Sequence, residues 1–337
     1  MISFENDYSE TTNEEILEAL KKAYNEQNDG YGLDKHSKNA ASLIKKLCGH
    51  KDIDVHFIQG GTPCNVLTME LIRPYEAIIA VKSGHINVHE TGAVERNGHK
   101  IVTVDGKEGK LLPQEIDQVM SVHLDEHSVK PKLVFISNGT EYGTTYSKKE
   151  LLDLRKKCDK YNLYLYIDGA RIGNALAATG LTFKDIADIA DVFYIGGTKN
   201  GALLGEAYII KNNNLKKEFR YIIKQNLSML AKGFINGIQF ETLLNNDLYM
   251  KNAKHANNMA DKIRECLKKN HINCLYPTKT NQIFPIITIK QFNELKKKFK
   301  FSKWSDYKGN NIVVRFVTSW NTKEENVNKL IEAINSL

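Results

Sequence analysis

Two apolar, strand-like runs, Leu163-Tyr164-Leu165-Tyr166-Ile167-Asp168-Gly169-Ala170-Arg171 and Val192-Phe193-Tyr194-Ile195-Gly196-Gly197-Thr198-Lys199-Asn200-Gly201, each end in a charged residue and a glycine-rich turn. An acid and a lysine at the ends of buried strands are expensive to desolvate and call for a partner that offsets the cost. Pyridoxal phosphate (PLP) is such a partner. A lysine amine condenses with its aldehyde, while a carboxylate keeps its pyridine nitrogen protonated so that the ring draws electrons. A buried Lys–Asp ion pair explains either run taken alone; the remaining strand ends decide between the two readings.

A phosphate needs its own cradle, and Gln59-Gly60-Gly61-Thr62-Pro63-Cys64-Asn65 supplies one between the strand-like Val55–Ile58 and the helix-like 66–72. Here Thr62 reads as the N-cap and Pro63 as the first helical residue. Two glycines before a helix start expose backbone N–H groups and a positive dipole end to an anion. No G-x-x-x-x-G-K-[ST] run is present, so a nucleoside triphosphate site is not indicated. The run Ala77–Lys82 leads to Ser83-Gly84-His85, where an imidazole is able to stack on a flat ring or carry a proton. Lys132–Ile136 leads to Ser137-Asn138-Gly139-Thr140-Glu141. Five strand ends thus carry Gly, Ser, Thr, His, Asp or Lys, as the ligand-binding edge of an open α/β sheet requires.

Helical periodicity at 13–26 and 38–47 precedes alternating strands and helices from 54 to about 211, which predicts a mostly parallel sheet with helices on both faces. Helix-rich sequence runs on to about 270. Short strands at 273–276, 284–289 and 311–318 then alternate with helices at 291–298 and 323–334, which predicts a small C-terminal α+β domain. The expected domains are therefore 1–270, with the N-terminal segment, and 271–337. Only seven of the 47 Lys+Arg residues are arginine, so Arg315 inside Ile312-Val313-Val314-Arg315-Phe316-Val317 stands out. A guanidinium in so apolar a strand suits either a planar carboxylate or a protein acid.

The 337 residues, 42% of them hydrophobic, allow one large and one smaller domain. No apolar run reaches membrane-spanning length, and residues 1–13 lack a basic-then-apolar leader pattern. The five cysteines show no C-x-x-C spacing, so a reducing cytoplasm is the expected compartment and no metal ligands are assigned. The formal charge of +7 comes from dispersed lysines without an aromatic-interleaved basic stripe, which argues against a nucleic-acid partner.

With I-D-G-A-R at 167–171 and G-G-T-K-N-G at 196–201, the chain resembles the low-specificity L-threonine aldolases, part of the β-eliminating lyase group of fold-type-I PLP enzymes. The resemblance runs from Asn6-Asp7 to the last helix. It implies that Lys199 carries PLP as a Schiff base, Asp168 partners the pyridine nitrogen and His85 stacks on the ring. Gly60, Gly61 and Thr62 align with the phosphate turn, which usually begins with serine. Arg171 falls near the PLP hydroxyl and the substrate carboxylate, and Arg315 takes that carboxylate. Tyr31-Gly32 matches an element that lines the neighbouring subunit's site, with Lys224 and Lys232 reaching toward the phosphate in the same way. The resemblance therefore implies a homo-oligomer, a dimer with shared sites or a tetramer.

Two departures stand out. Asn6 replaces a serine that contacts the substrate carboxylate, and Ser137-Asn138-Gly139-Thr140-Glu141 replaces a segment carrying a histidine that meets the substrate hydroxyl. The implied activity is cleavage of β-hydroxy-α-amino acids such as threonine and allo-threonine to glycine and an aldehyde, with His85 or a water it orients as base. The alternative on the same scaffold is β-elimination from serine or aromatic amino acids, releasing pyruvate and ammonia. A lysine Schiff-base aldolase without PLP is disfavoured by the strand-rich alternation ending in a small α+β domain.

Overall fold

The computed structural model describes residues 1–337. Its centre is a seven-stranded sheet in the order Asp54–Ile58, Glu206–Ile210, Val192–Gly196, Tyr164–Asp168, Lys130–Ser137, Glu76–Val81, Ile101–Val104. Six strands point the same way. Glu206–Ile210 alone is antiparallel, pairing with Val192–Gly196 on one side and Asp54–Ile58 on the other. Period-two alternation sends successive residues to opposite faces, and both faces are covered. Val134, Ile136, Leu165, Ile167, Phe193, Ile195, Ala207 and Ile209 enter one apolar cluster, while Leu133, Phe135, Tyr166, Val192, Tyr194, Tyr208 and Ile210 enter the other.

Beyond the long helix Leu248–Lys269 lies a smaller layered unit. Its strand Asn311–Val317 pairs antiparallel with Gln282–Ile283, Ile286–Thr288 and Ser302–Asp306, and helices Ile289–Lys296 and Glu324–Asn335 accompany the sheet. A third apolar cluster joins Phe4, Met259 and Ile263 to Ile312, Val314, Phe316, Val327 and Leu330. The chain's start is stitched to this unit, because Ile2–Ser3 pairs parallel with Phe299–Lys300 and Val317 N–H donates to the Phe4 carbonyl at 2.9 Å. The segment after Phe4 is thereby led across to the sheet's ligand edge.

The small unit departs from its sequence-based outline in three places. No strand forms at 273–276, where only a single bridge joins Cys274 to Pro285. The run 284–289 is split, since Pro285 has no N–H to donate to a ladder, and Ile289 already belongs to a helix capped by Thr288, whose hydroxyl accepts from Gln291 N–H at 3.1 Å. The strand Ser302–Asp306 escaped the reading because Lys303, Ser305 and Asp306 break its apolar alternation at a sheet edge.

Candidate active site

Asp168 ends the strand Tyr164–Asp168 and is buried. Its Oδ1 accepts from the Tyr194 hydroxyl at 2.5 Å and from Ala170 N–H at 3.0 Å, and its Oδ2 accepts from Asn65 Nδ2 at 3.2 Å. Tyr194 comes from the adjacent strand, and Asn65 comes from the helix Gly61–Met69 that begins at the phosphate turn. The two strands approach so closely that a Cβ on Gly169 would lie 1.7 Å from the Tyr194 carbonyl oxygen, so residue 169 must be glycine. That approach carries Asp168 and the Lys199 turn to the same edge.

The Lys199 turn follows the strand Val192–Gly196 and is tied down from all sides. Asn200 and Ala202 N–H groups donate to the Gly197 carbonyl at 2.8 and 3.0 Å, Gly197 N–H donates to Glu206 Oε2 at 2.7 Å, and the Tyr249 hydroxyl donates to the Gly196 carbonyl at 2.8 Å. The Lys199 amine itself sits among charges rather than in an ion pair. Burial, then the Arg171 charge, pushes its pKa below the usual lysine range, against the upward pull of Asp7, Asp168 and Glu206.

His85 begins the short helix His85–Val88. Its Nδ1 meets Glu90 Oε1 at 2.8 Å, and Asn65 Nδ2 donates to the same oxygen at 2.6 Å. One hydrogen-bonded line therefore runs from Asp168 through Asn65 and Glu90 to His85, with the Tyr166 hydroxyl fixing Asn65 Oδ1 at 2.7 Å. Burial alone would lower the His85 pKa. The Glu90 hydrogen bond and the Asp168 and Glu90 charges outweigh it and hold the imidazole above its ordinary value. On the other side, Glu141 Oε1 accepts from His85 N–H at 3.0 Å and from the Ser137 hydroxyl at 2.6 Å.

A scan against family models matches residues 6–290 to the beta-eliminating lyases. The chain belongs to the β-eliminating lyase family. A low-specificity L-threonine aldolase of a Pseudomonas species is 31% identical, over 96% of this chain and 94% of its own length. Among solved structures, the Leishmania major threonine aldolase superposes with a TM-score of 0.98 at 42% identity, covering 100% of this chain and 99% of that one. Thermus thermophilus aspartate aminotransferase gives a TM-score of 0.72 at 14% identity over the whole of this chain and 91% of its own, which shows the shared fold-type-I architecture alone.

In this member of the family the residues read from sequence do not all fall together. Asp168, Lys199, His85 and Arg171 converge at one sheet edge, each influencing another's charge. Arg171 already has a partner there: its Nε and one terminal nitrogen donate to the two Asp7 oxygens at 2.7 and 3.0 Å, and Asn281 Nδ2 adds a third bond to Asp7 at 2.8 Å. Burial raises the Asp7 pKa, but the Arg171 and Lys199 charges and those hydrogen bonds bring it below the usual carboxylate range. Asn6 turns to local work, its Oδ1 accepting from Tyr8 N–H at 3.0 Å and the Ser9 hydroxyl at 2.8 Å. Arg315 approaches this edge from the small unit. It has no carboxylate, only the Glu5 carbonyl at 3.4 Å and the Trp304 ring 5.3 Å away, and its buried Nε has no partner.

Thr62 is not the N-cap. The helix begins at Gly61 with an extended Gly60 before it, because Cys64 N–H already reaches the Gly60 carbonyl at 3.3 Å. Pro63 falls third instead of first, still within the turn whose N–H groups are unpaired. Gly60 caps with no side chain, so the Gly61 and Thr62 N–H groups face outward, and a Cβ on Gly61 would lie 3.0 Å from the Tyr194 hydroxyl. Tyr31 stands apart from this edge. It is 45% exposed with φ of 61°, its carbonyl held by Arg220 at 3.1 Å and its ring 5.0 Å from the Lys224 ammonium, while Lys232 is exposed.

The sequence reading missed Asn65, Glu90, Tyr194 and Glu206. Asn65 and Glu90 carried a signal, since polar residues in otherwise apolar or histidine-flanked segments demand buried partners. The exposed donors at Gly61, the anchored Asp168 carboxylate, the unpaired Lys199 amine and the orphaned Arg315 nitrogen together fit PLP and an amino-acid carboxylate.

Proposed function

We infer that the protein is a PLP-dependent lyase that cleaves threonine-type β-hydroxy-α-amino acids to glycine and an aldehyde. The observation that carries this reading is the meeting, at one sheet edge, of an unpaired lysine amine and a carboxylate anchored by three hydrogen bonds. The threonine aldolase relatives and the 42%-identical Leishmania major structure support it over the β-elimination alternative.

In this proposal Lys199 would hold the cofactor's aldehyde carbon, Asp168 its pyridine nitrogen, His85 its ring and the Gly60-Gly61-Thr62 turn its phosphate, with Arg171 near its hydroxyl and the substrate carboxylate. When bound, PLP supplies an electron sink for the pair released as the Cα–Cβ bond breaks. Arg315 clamps the substrate carboxylate, having an unpaired buried nitrogen to offer it. His85 accepts the β-hydroxyl proton at Nε2, because Nδ1 is engaged by Glu90. The Asp168 carboxyl, anchored by three hydrogen bonds, would meet the ring nitrogen already oriented.

We further propose residues 1–270 as the cofactor-bearing domain and 271–337 as the domain that brings Arg315 to it. A homodimer with shared sites, or a tetramer built from it, would let Tyr31 of one copy line the substrate site of the other, with Lys224 and Lys232 reaching toward its phosphate. Support comes from the exposure of Tyr31 and its left-handed backbone, a conformation costing about 1 kcal/mol or more that persists where surroundings demand it. A reducing cytoplasm would keep the five free cysteines as thiols. No helix is long and apolar enough to cross a membrane.

The test is to incubate the PLP-loaded protein with allo-threonine, threonine, serine and aromatic amino acids, assaying glycine and pyruvate separately. Glycine from the β-hydroxy amino acids is the expected result; pyruvate without glycine would replace the aldolase reading by β-elimination. Lys199→Ala should lose the visible cofactor band and at least roughly 10⁴-fold of activity, and a visible band that borohydride still fixes to that variant would refute the role of Lys199.

A further inference from the structure

Glu206 sits at the ligand edge for a topological reason. Glu206–Ile210 is antiparallel to its neighbours, so its amino end lies where the other strands have their carboxyl ends, and Glu206 pairs in register with Gly196, three residues before Lys199. The side chain is 5% exposed and its Oε2 accepts from Gly197 N–H at 2.7 Å. The Thr198 side chain hydrogen-bonds to it as well, and ties of this kind do not by themselves call for an acid. A few residues on, Gln239 Oε1 accepts from Leu203 and Leu204 N–H at 2.6 and 3.2 Å, so a neutral amide does the same work in the same loop without a buried charge. The acid at 206 therefore has a second task, and the groups acting on it through space are the Lys199 cation, the Asp168 acid and the weakly acidic Cys64, Tyr194 and Tyr249. Lys199 is the only cation in that set.

We propose that Glu206 is a positioning residue for Lys199, a buried carboxyl that fixes the lysine turn and whose charge is coupled to that of the lysine nitrogen. The two charges favour one another: a protonated nitrogen at Lys199 makes Glu206 more acidic, and an ionised Glu206 holds the nitrogen's proton more tightly. Burial supports this by holding the Glu206 carboxyl up at about 7, within reach of physiological titration, against the downward pull of the Thr198 and Gly197 hydrogen bonds and the Lys199 charge.

The proposal rests on PLP bound at Lys199, and its test separates the two. The visible absorbance of the PLP-loaded protein is titrated with pH for the wild type and for Glu206→Gln, which retains an acceptor for Gly197 N–H. Loss of the negative charge should lower the midpoint of the visible transition by about one pH unit, a tenfold change. An unshifted midpoint in a fully loaded variant would reduce Glu206 to a structural tie, whereas the lack of any visible band in the wild type would refute the cofactor reading instead. Infrared titration of the Glu206 carboxyl in Lys199→Ala gives a second measurement that needs neither PLP nor the Gln variant. With its cation removed, the carboxyl should hold its proton to a pH higher by about one unit, and an unchanged titration there would overturn the proposal.

Discussion

Arg171 and Arg315 come near one another at the same sheet edge, the first from the large sheet and the second from the small unit, and they are built differently. Arg171, on the sheet side, gives two hydrogen bonds to the buried Asp7 carboxylate. Arg315, on the small-unit side, leans on the Trp304 ring and leaves its buried Nε without a partner. Burial, and next the nearby Arg171 charge, lower the Arg315 pKa, so an anion there would relieve an unfavourable environment. The sheet wall is internally satisfied before any ligand arrives; the small-unit wall holds its strongest donor in reserve. Preorganisation of the first sort stabilises developing charge, and an open guanidinium of the second sort selects what enters.

Four changes would break or sharpen this contrast. The largest effect belongs to the sheet wall, where Asp168→Asn preserves size and can still accept from Tyr194 but brings no charge to the cofactor nitrogen. Turnover should fall by about three orders of magnitude, or ~4 kcal/mol, at an unchanged melting temperature, and near-normal kcat would show the acid to be packing alone. The two arginines come next and should fail in different assays. Arg171→Ala strands a buried Asp7 and should cost about 3–5 kcal/mol of stability, seen in thermal or denaturant unfolding. Arg315→Ala should leave unfolding nearly untouched and raise KM by about 10- to 100-fold, a loss of roughly 1.4–2.8 kcal/mol of binding, with kcat little changed. If the two variants exchange phenotypes, the contrast between the walls is wrong.

The smallest effect probes the line from Asp168 to His85. Its carboxylates hold the imidazole protonated beyond its ordinary range, against the effect of burial and of the Lys199 charge, and the His89 ring lies nearby, tilted by 55° with ring centroids 5.4 Å apart. A base must be deprotonated, so kcat should rise with pH through the His85 titration and its midpoint should lie above the usual imidazole value. Glu90→Gln removes one of the raising charges and should move that midpoint down by about one unit. A pH profile indifferent to residue 90 would leave His85 as a stacking group only.

The sequence by itself determined the parallel strands, because their apolar runs are buried on both faces and end abruptly in polar turns. It also pointed to Asp168 and Lys199, which the structure brings to one sheet edge, because an acid or lysine at such a strand end is costly to bury without a partner. Gly169 and Gly61 were legible as glycines, though their purpose, clearance beneath Tyr194, appears only when the strands are laid together. Tertiary structure alone decided the rest. Asp7 reaches Arg171 across 164 residues of chain, and Asn65 reaches Asp168 across 103. Such pairings depend on strand order and on where the N-terminal segment is stitched, neither of which leaves a local periodic signal. Glu206 is the clearest case: a search of strand carboxyl ends passes over it, since only the reversal of one strand in the sheet brings an amino end to the edge where the chemistry gathers.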